Sequence, residues 1–188
     1  MVFHAERSNR EGMVEETNKG LVMVYTGDGK GKTTAAVGQA LRALGHGFRV
    51  YMIHFMKGRD YGEFLAAEKL PRLTVDRAGR DCFVNRENPD PVDIELAREG
   101  FSRAVKAVKS GDYDLVVLDE INVAVDYGLI PEAELLKLLE EKPPGVDLIL
   151  TGRGASPELI KRADMVSEVL MIKHHYNSGV AARKGIEY

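Results

Sequence analysis

Cysteine occurs once in the 188 residues, as Cys82. Neither an intrachain disulfide nor a multi-thiolate zinc site can form, and the chain suits a reducing compartment, so a cytoplasmic location is expected. A basic excess is also missing. Lys and Arg number 26 against 29 Asp and Glu, with a formal net charge of -3 and a sequence pI near 6.0. Surfaces that neutralise many nucleic-acid phosphates carry a clear positive excess, so no nucleic-acid partner is expected. Apolar runs such as Leu21 to Tyr25 and Leu115 to Leu118 fall far short of the roughly 18 residues that cross a bilayer, which predicts no membrane helix and no membrane partner. The opening MVFHAERSNREGMVEE lacks the apolar stretch and small-residue cleavage site of a secretory signal. What remains suffices for a core. With 44% hydrophobic and 29% charged residues the chain is not disordered as a whole, and its length predicts one domain.

Residues 1–18 are polar and charge-mixed without a sustained period, and read as a mobile N-terminal arm. From there the pattern alternates. LVMVYT (21–26), RVYMIHF (49–55), LTVD (73–76), DLVVLDE (114–120), VDLILT (146–151) and Val166 to Ile172 read as strands, several of them apolar enough to be buried on both faces. Between them lie helical stripes: Val37, Ala40, Leu41 and Leu44; a short one around Glu63 to Leu70; Ile94 through Val108; Pro131 to Glu141; and a turn capped by Ser156 and Pro157. Arg77 to Pro91 is rich in Arg, Asp, Asn and Pro and reads as a functional loop. The expectation is an α/β nucleotide-binding fold over residues 19–172, a mostly parallel sheet flanked by helices, with its ligand site at the C-terminal edge of the strands. Residues 173–188 form a basic, glycine-punctuated tail of the same domain.

TGDGKGKTT (26–34) stands between a strand and a helix and ends as a P-loop does, in Gly31-Lys32-Thr33. Glycines let backbone amides turn around a polyphosphate, and the helix N-terminus adds a favourable dipole. The segment nominates Gly27, Asp28, Gly29, Lys30, Gly31, Lys32, Thr33 and Thr34 as ATP-binding residues, with Lys32 on terminal phosphates and Thr33 on Mg²⁺. The strict pattern asks for glycine at position 26, where Thr26 stands. Asp119 and Glu120 close a buried strand at the same edge and read as metal-associated acids, although such a pair also serves as a helix cap. Arg153, in TGRG (151–154), suits phosphate or ribose oxygens, or is an exposed turn residue. His174 and His175 lack the spacing of a metal pair and read as solvated tail residues, and Cys82 reads as a packing residue.

Taken together, YTGDGKGKTTAA (25–36), HFMKG (54–58) with the following GE, VVLDEINVAVDYGLI (116–130), ILTGRGASPELIKRADMVSEV (149–169) and the ending IKHHYNSGVAARKGIEY resemble the P-loop class of ATP:corrinoid adenosyltransferases. The resemblance implies transfer of the adenosyl group from ATP to Co(I) of a reduced corrinoid, with triphosphate leaving. It further implies Mg²⁺ or Mn²⁺, a homodimer and a corrinoid reductase as partner. It assigns Lys32, Thr33 and Glu120 to the reaction, Thr33 and Glu120 to the metal with Asp119 acting directly or through water, and Arg153 to the nucleotide. The loop around Phe83 would face the corrin. Many relatives read G-F-x-W there, whereas this chain reads Cys82-Phe83-Val84-Asn85 and has no tryptophan, so Asn85 replaces a ring. A P-loop ATPase or kinase acting at phosphorus, with Glu120 activating water, and a non-catalytic ATP sensor are the competing readings.

Overall fold

The computed structural model describes residues 19–58 and 61–188, and the expected N-terminal arm, residues 1–18, lies outside them. Six strands, β1 (Val22–Thr26), β2 (Val50–Phe55), β3 (Leu73–Ala78), β4 (Leu115–Asp119), β5 (Asp147–Thr151) and β6 (Met165–Glu168), form one sheet. Their order is β3-β2-β4-β5-β1-β6, and every neighbouring pair is parallel. The helices are α1 (Lys32–Gly45), α2 (Gly62–Ala67), α3 (Pro91–Lys109), α4 (Ile121–Asp126), α5 (Glu132–Glu141) and α6 (Pro157–Arg162). No helix among the described residues is long and apolar enough to cross a membrane.

The apolar runs become strands because both of their faces are covered. Successive side chains on a strand point to opposite sides. In β2, Tyr51, Ile53 and Phe55 pack with Ala97, Phe101 and Ala104 of α3, whereas Val50 and Met52 pack with Ala36, Ala40 and Ala43 of α1. β4 repeats the division, Val116 and Leu118 on the first side and Leu115 and Val117 on the second. Thus α1 covers one face, and α3 with α4 and α5 covers the other. All of β2 and β4 is buried, as their mainly apolar composition favours, with His54 and Asp119 the buried polar residues near their C-terminal ends.

Two expectations change. The last strand ends at Glu168 rather than Ile172, and Leu170, Met171 and Ile172 are exposed. Its hydrogen bonds go elsewhere: beyond β6 the backbone turns along the glycine loop, where Val169 O accepts from Gly29 N at 2.7 Å. Helix α4 is unmarked in the sequence pattern, being too short to show a period; its Ile121 and Ala124 are nonetheless fully buried. Ser156 caps α6 as expected, its Oγ accepting from Leu159 N at 3.1 Å.

Helix α3 approaches the sheet at Gly100, where an added Cβ would overlap the methyl of Ala78 and touch Ile53 and Phe55. Helix propensity alone favours alanine over glycine by about 1 kcal/mol. Overpacking costs about 1 to 3 kcal/mol and opposes it. Gly100→Ala is therefore expected to lower the denaturation midpoint, and Gly100→Ala combined with Ala78→Gly to recover part of the loss. A midpoint above wild type in the single variant would refute this account of the α3 contact.

Candidate nucleotide site

Strand β1 delivers the chain into the phosphate loop. Thr26, where the strict pattern has glycine, is buried, and its Oγ1 accepts from Ala155 N at 3.3 Å, tying the loop's entry to the turn after β5. Gly27 and Gly31 hold φ values of 94° and 123°, which side chains other than glycine rarely adopt. At Gly27 and Gly29 a Cβ would also strike the backbone of residues 169–170. Helix α1 begins at Lys32 with no acidic residue in its first turn, so its amide end stays open to anions. Lys32 is buried and Nζ donates to Gly29 O at 2.7 Å. Burial draws its ammonium below the ordinary lysine value, against the opposing charge of Glu120.

Strand β5 lies between β1 and β4, and the loops leaving β1, β2, β4 and β5 meet at one edge. Their meeting point is Asp119, which is fully buried. Its Oδ1 accepts from Thr33 Oγ1 at 2.8 Å and Thr151 Oγ1 at 2.6 Å. Its Oδ2 faces His54 Nδ1 at 2.8 Å and accepts from Lys57 Nζ at 2.7 Å. Burial alone would raise the Asp119 carboxyl, but the Lys57 charge and the His54 bond outweigh it and hold it far below the usual carboxylate range. By giving its proton to Asp119, Thr33 turns its oxygen lone pairs toward acceptance, with Lys57 Nζ at 3.5 Å from one side.

Glu120 differs from its neighbour. It stands in the left-handed region at φ 60°, a strained conformation for a side-chain-bearing residue, which turns it onto the cleft wall. Its carboxylate accepts no hydrogen bond among the described residues. Burial first, then repulsion from Asp119, raises its pKa. A hard-oxygen pair of Thr33 and Glu120 beside a phosphate cradle fits Mg²⁺ or Mn²⁺, which take the rest of their coordination from phosphates and water. Among the described residues no group of three or more His, Cys, Asp or Glu side chains could hold a metal, so a bound ion would need oxygens from the nucleotide.

The cleft, of about 760 Å³, brings together Asp28 to Thr34 with Glu120, Arg153 and Phe83. Arg153 reaches back to the loop, its guanidinium 3.4 Å from Asp28 O and 3.7 Å from Asp28 Oδ1. Phe83 is fully exposed to solvent on its own chain. Asn85 is not brought to the wall, because its Oδ1 accepts from Glu87 N at 3.0 Å in a local turn. Asp119 and Gly27 also lie behind the wall rather than on it. Cys82 is exposed, not packed as the sequence suggested.

The tail is not merely solvated. Lys30 Nζ donates to Ile186 O at 3.4 Å, His175 Nε2 lies 3.2 Å from Glu187 Oε1, and His174 with residues 185–188 closes one side of the cleft. His54 and Lys57 lie within HFMKG (54–58), a motif of the resemblance, but sequence reasoning assigned neither a role. A histidine at the end of an otherwise apolar strand, followed by lysine at the ligand edge, was the available signal.

The family described as ATP:corrinoid adenosyltransferase BtuR/CobO/CobP matches residues 18–188. The chain belongs to this family. It is 32% identical to a corrinoid adenosyltransferase of Pseudomonas aeruginosa over 98% of this chain and 95% of that protein. Identity reaches 36% with the corrinoid adenosyltransferase of Escherichia coli strain K12, covering 92% of this chain and 88% of the relative. The Salmonella typhimurium corrinoid adenosyltransferase CobA is 34% identical with the same coverages. Among solved structures, the RadB recombinase superposes with a TM-score of 0.53 at 18% identity, over 83% of this chain and 77% of that one. A KaiC-like protein from Pyrococcus horikoshii gives 0.51 at 19%, over 90% and 76%. Those two likenesses show the α/β P-loop fold alone.

Within this cleft Glu120 is costly to the fold, being half-buried next to the fully buried Asp119 with no donor of its own among the described residues. Glu120→Gln removes that charge, so its urea midpoint at neutral pH is expected to lie above wild type. An equal or lower midpoint would show that the carboxylate is not held against the fold's preference.

Proposed function

We propose that the protein transfers the 5′-deoxyadenosyl group of ATP to the cobalt of a reduced corrinoid, in cobalamin biosynthesis or salvage. The observation that carries this reading is the family match over residues 18–188, which takes in every element that builds the cleft. In the step, the Co(I) electron pair attacks the ribose 5′-carbon, a Co–C bond forms, the C5′–O bond breaks, and triphosphate leaves with the bonding pair. Co(I) is itself the nucleophile, so the protein needs no activated serine or cysteine.

The chain's own groups then have two tasks, alignment and charge stabilisation. The loop amides, Lys32 and the start of α1 face the triphosphate on which charge develops, and Arg153 supports the loop at Asp28. Thr33 and Glu120 would hold the divalent ion, which neutralises the leaving triphosphate; Asp119 acts behind them by fixing the Thr33 hydroxyl. Phe83 gives the cleft an apolar lip that can cover one corrin face and help shed the lower cobalt ligand. Asn85 belongs to the same loop without reaching the cleft. A homodimer, a corrinoid reductase as electron source and a cytoplasmic setting complete this reading.

Incubation with ATP and chemically reduced corrinoid is expected to give adenosylated corrinoid and intact triphosphate in equal amounts. Steady ADP formation without corrinoid, and no alkylated product with it, would favour an ATPase instead. Lys32→Ala and Thr33→Ala should each slow adenosylation by about 3 to 4 kcal/mol of activation energy, the loss seen when one charge-stabilising group is removed. Near wild-type rates in folded variants would remove these residues from the site.

The exposure of Phe83 separates corrin contact from packing. A buried ring would cost about 3 to 5 kcal/mol on truncation, whereas Phe83→Ala is expected to leave stability within about 0.5 kcal/mol of wild type. ATP affinity should also hold, while the four-coordinate fraction of bound Co(II) corrinoid falls in optical and paramagnetic spectra. Unchanged spectra would place the corrin elsewhere.

A further inference from the structure

Lys57 follows β2 at the edge where the phosphate loop opens, and three features fix it there. Met56, just before it, stands in the left-handed region at φ 57°, one of two side-chain-bearing residues among those described to do so; the other is Glu120. The backbone of 56–58 lies flush against that of 79–81, so that a Cβ on Gly58 or Gly79 would strike it, and Met56 N donates to Ala78 O at 2.9 Å. The Tyr61 ring centroid lies 5.1 Å from Nζ. A strained turn and a close backbone approach thus aim an ammonium into a nucleotide cleft.

The ammonium stands 2.7 Å from Asp119 Oδ2 and 3.5 Å from Thr33 Oγ1, and its side chain lines the same cleft as Lys32 and Glu120. It therefore sits among the oxygens to which a divalent ion is assigned. We propose that Lys57 is a resident cation at this cleft, offsetting Asp119 and Glu120 while nucleotide is absent, and that the metal ion arriving with ATP takes over that role and releases Lys57 to the triphosphate. Without a cation here, the buried Asp119 carboxylate and the half-buried Glu120 carboxylate beside it would repel each other with less compensation, which disfavours both ionising. With both cations in place, an ammonium and a divalent ion would share one hydroxyl's surroundings, and repulsion at such distances inside a protein is large. One site holds one of them. The exchange makes metal binding weak without nucleotide and couples it to the phosphates that receive the displaced lysine.

The inference rests on the proposed metal site beside Thr33 and requires no corrinoid. Its test is Mn²⁺ binding by paramagnetic resonance, with tripolyphosphate affinity by calorimetry. Lys57→Gln keeps a donor for Asp119 and loses the charge. Expected are Mn²⁺ affinity at least tenfold above wild type without nucleotide, and tripolyphosphate affinity in the presence of Mn²⁺ at least tenfold below it. Lys57→Arg, which keeps the charge, should exclude Mn²⁺ as wild type does. A merely structural ion pair would change the melting temperature and leave nucleotide-free Mn²⁺ affinity within twofold of wild type, which overturns the proposal.

Should Lys57→Gln fail to fold, the wild-type protein carries the test. Acylation of Lys57 by an amine reagent, read by mass spectrometry, is expected to be slow in the free protein and to accelerate under saturating Mn²⁺ alone. No acceleration overturns the exchange. Failure of wild type to take up Mn²⁺ even with ATP would instead remove the metal reading itself, and Lys57's role with it.

Discussion

A single buried carboxylate organises the ligand edge of this protein. Asp119 gathers Thr33 from the start of α1, His54 and Lys57 from the end of β2, and Thr151 from the end of β5. The four partners come from three separate segments of the sheet's ligand edge, so these contacts lock the loops together where the nucleotide cleft opens. Breaking such a buried charged pair by removing one partner typically costs about 3 to 5 kcal/mol, because the other charge stays buried and unpaired. The rigidity of the site and the integrity of the fold therefore depend on the same group.

Around that hub the chain places its less comfortable residues. Glu120 and Met56 adopt left-handed backbone immediately after β4 and β2, and Glu120 is a carboxylate without a donor. The glycine loop lies so close to residues 169–170 that no side chain fits at Gly27 or Gly29. These features are tolerable because mainly apolar strands anchor the loops: β2 and β4 are buried throughout. Strain concentrated at the edge of a well-packed sheet is the usual arrangement for a site that must hold charge ready for a ligand. The C-terminal segment completes the wall through Lys30, His175 and Glu187, a contact made of partly exposed polar pairs.

Much of this was legible in the residues themselves. Strand periods, the glycine turn, the Ser156 cap and the acids closing β4 are local signals, each set by a few neighbouring side chains and their backbone. The P-loop was readable despite Thr26, since the glycines after it still make the turn. Less legible were features whose energetics lie elsewhere in the chain. The apolar run 169–172 resembled strand because its composition suits one, yet after Val169 N donates to Thr26 O its backbone follows the glycine loop, Val169 O accepting from Gly29 N. Phe83 could not be divided between packing and ligand contact until its exposure was known.

The sequence by itself determined an α/β domain with a phosphate loop, the acids that close β4 and the motifs of the adenosyltransferase family, because these depend on contiguous residues and on short-range periodicity. Only the tertiary structure decided which of them meet. Thr33 and Asp119 are 86 positions apart, and Lys57 and Asp119 are 62 apart. They converge because β5 is inserted between β1 and β4 while β2 pairs directly with β4. Strand order is a property of how whole helices and strands cover one another's apolar faces, and no local window of residues encodes it. That is why the loop lysine, Lys32, was evident from the chain, whereas Lys57, delivered from a neighbouring strand, was not.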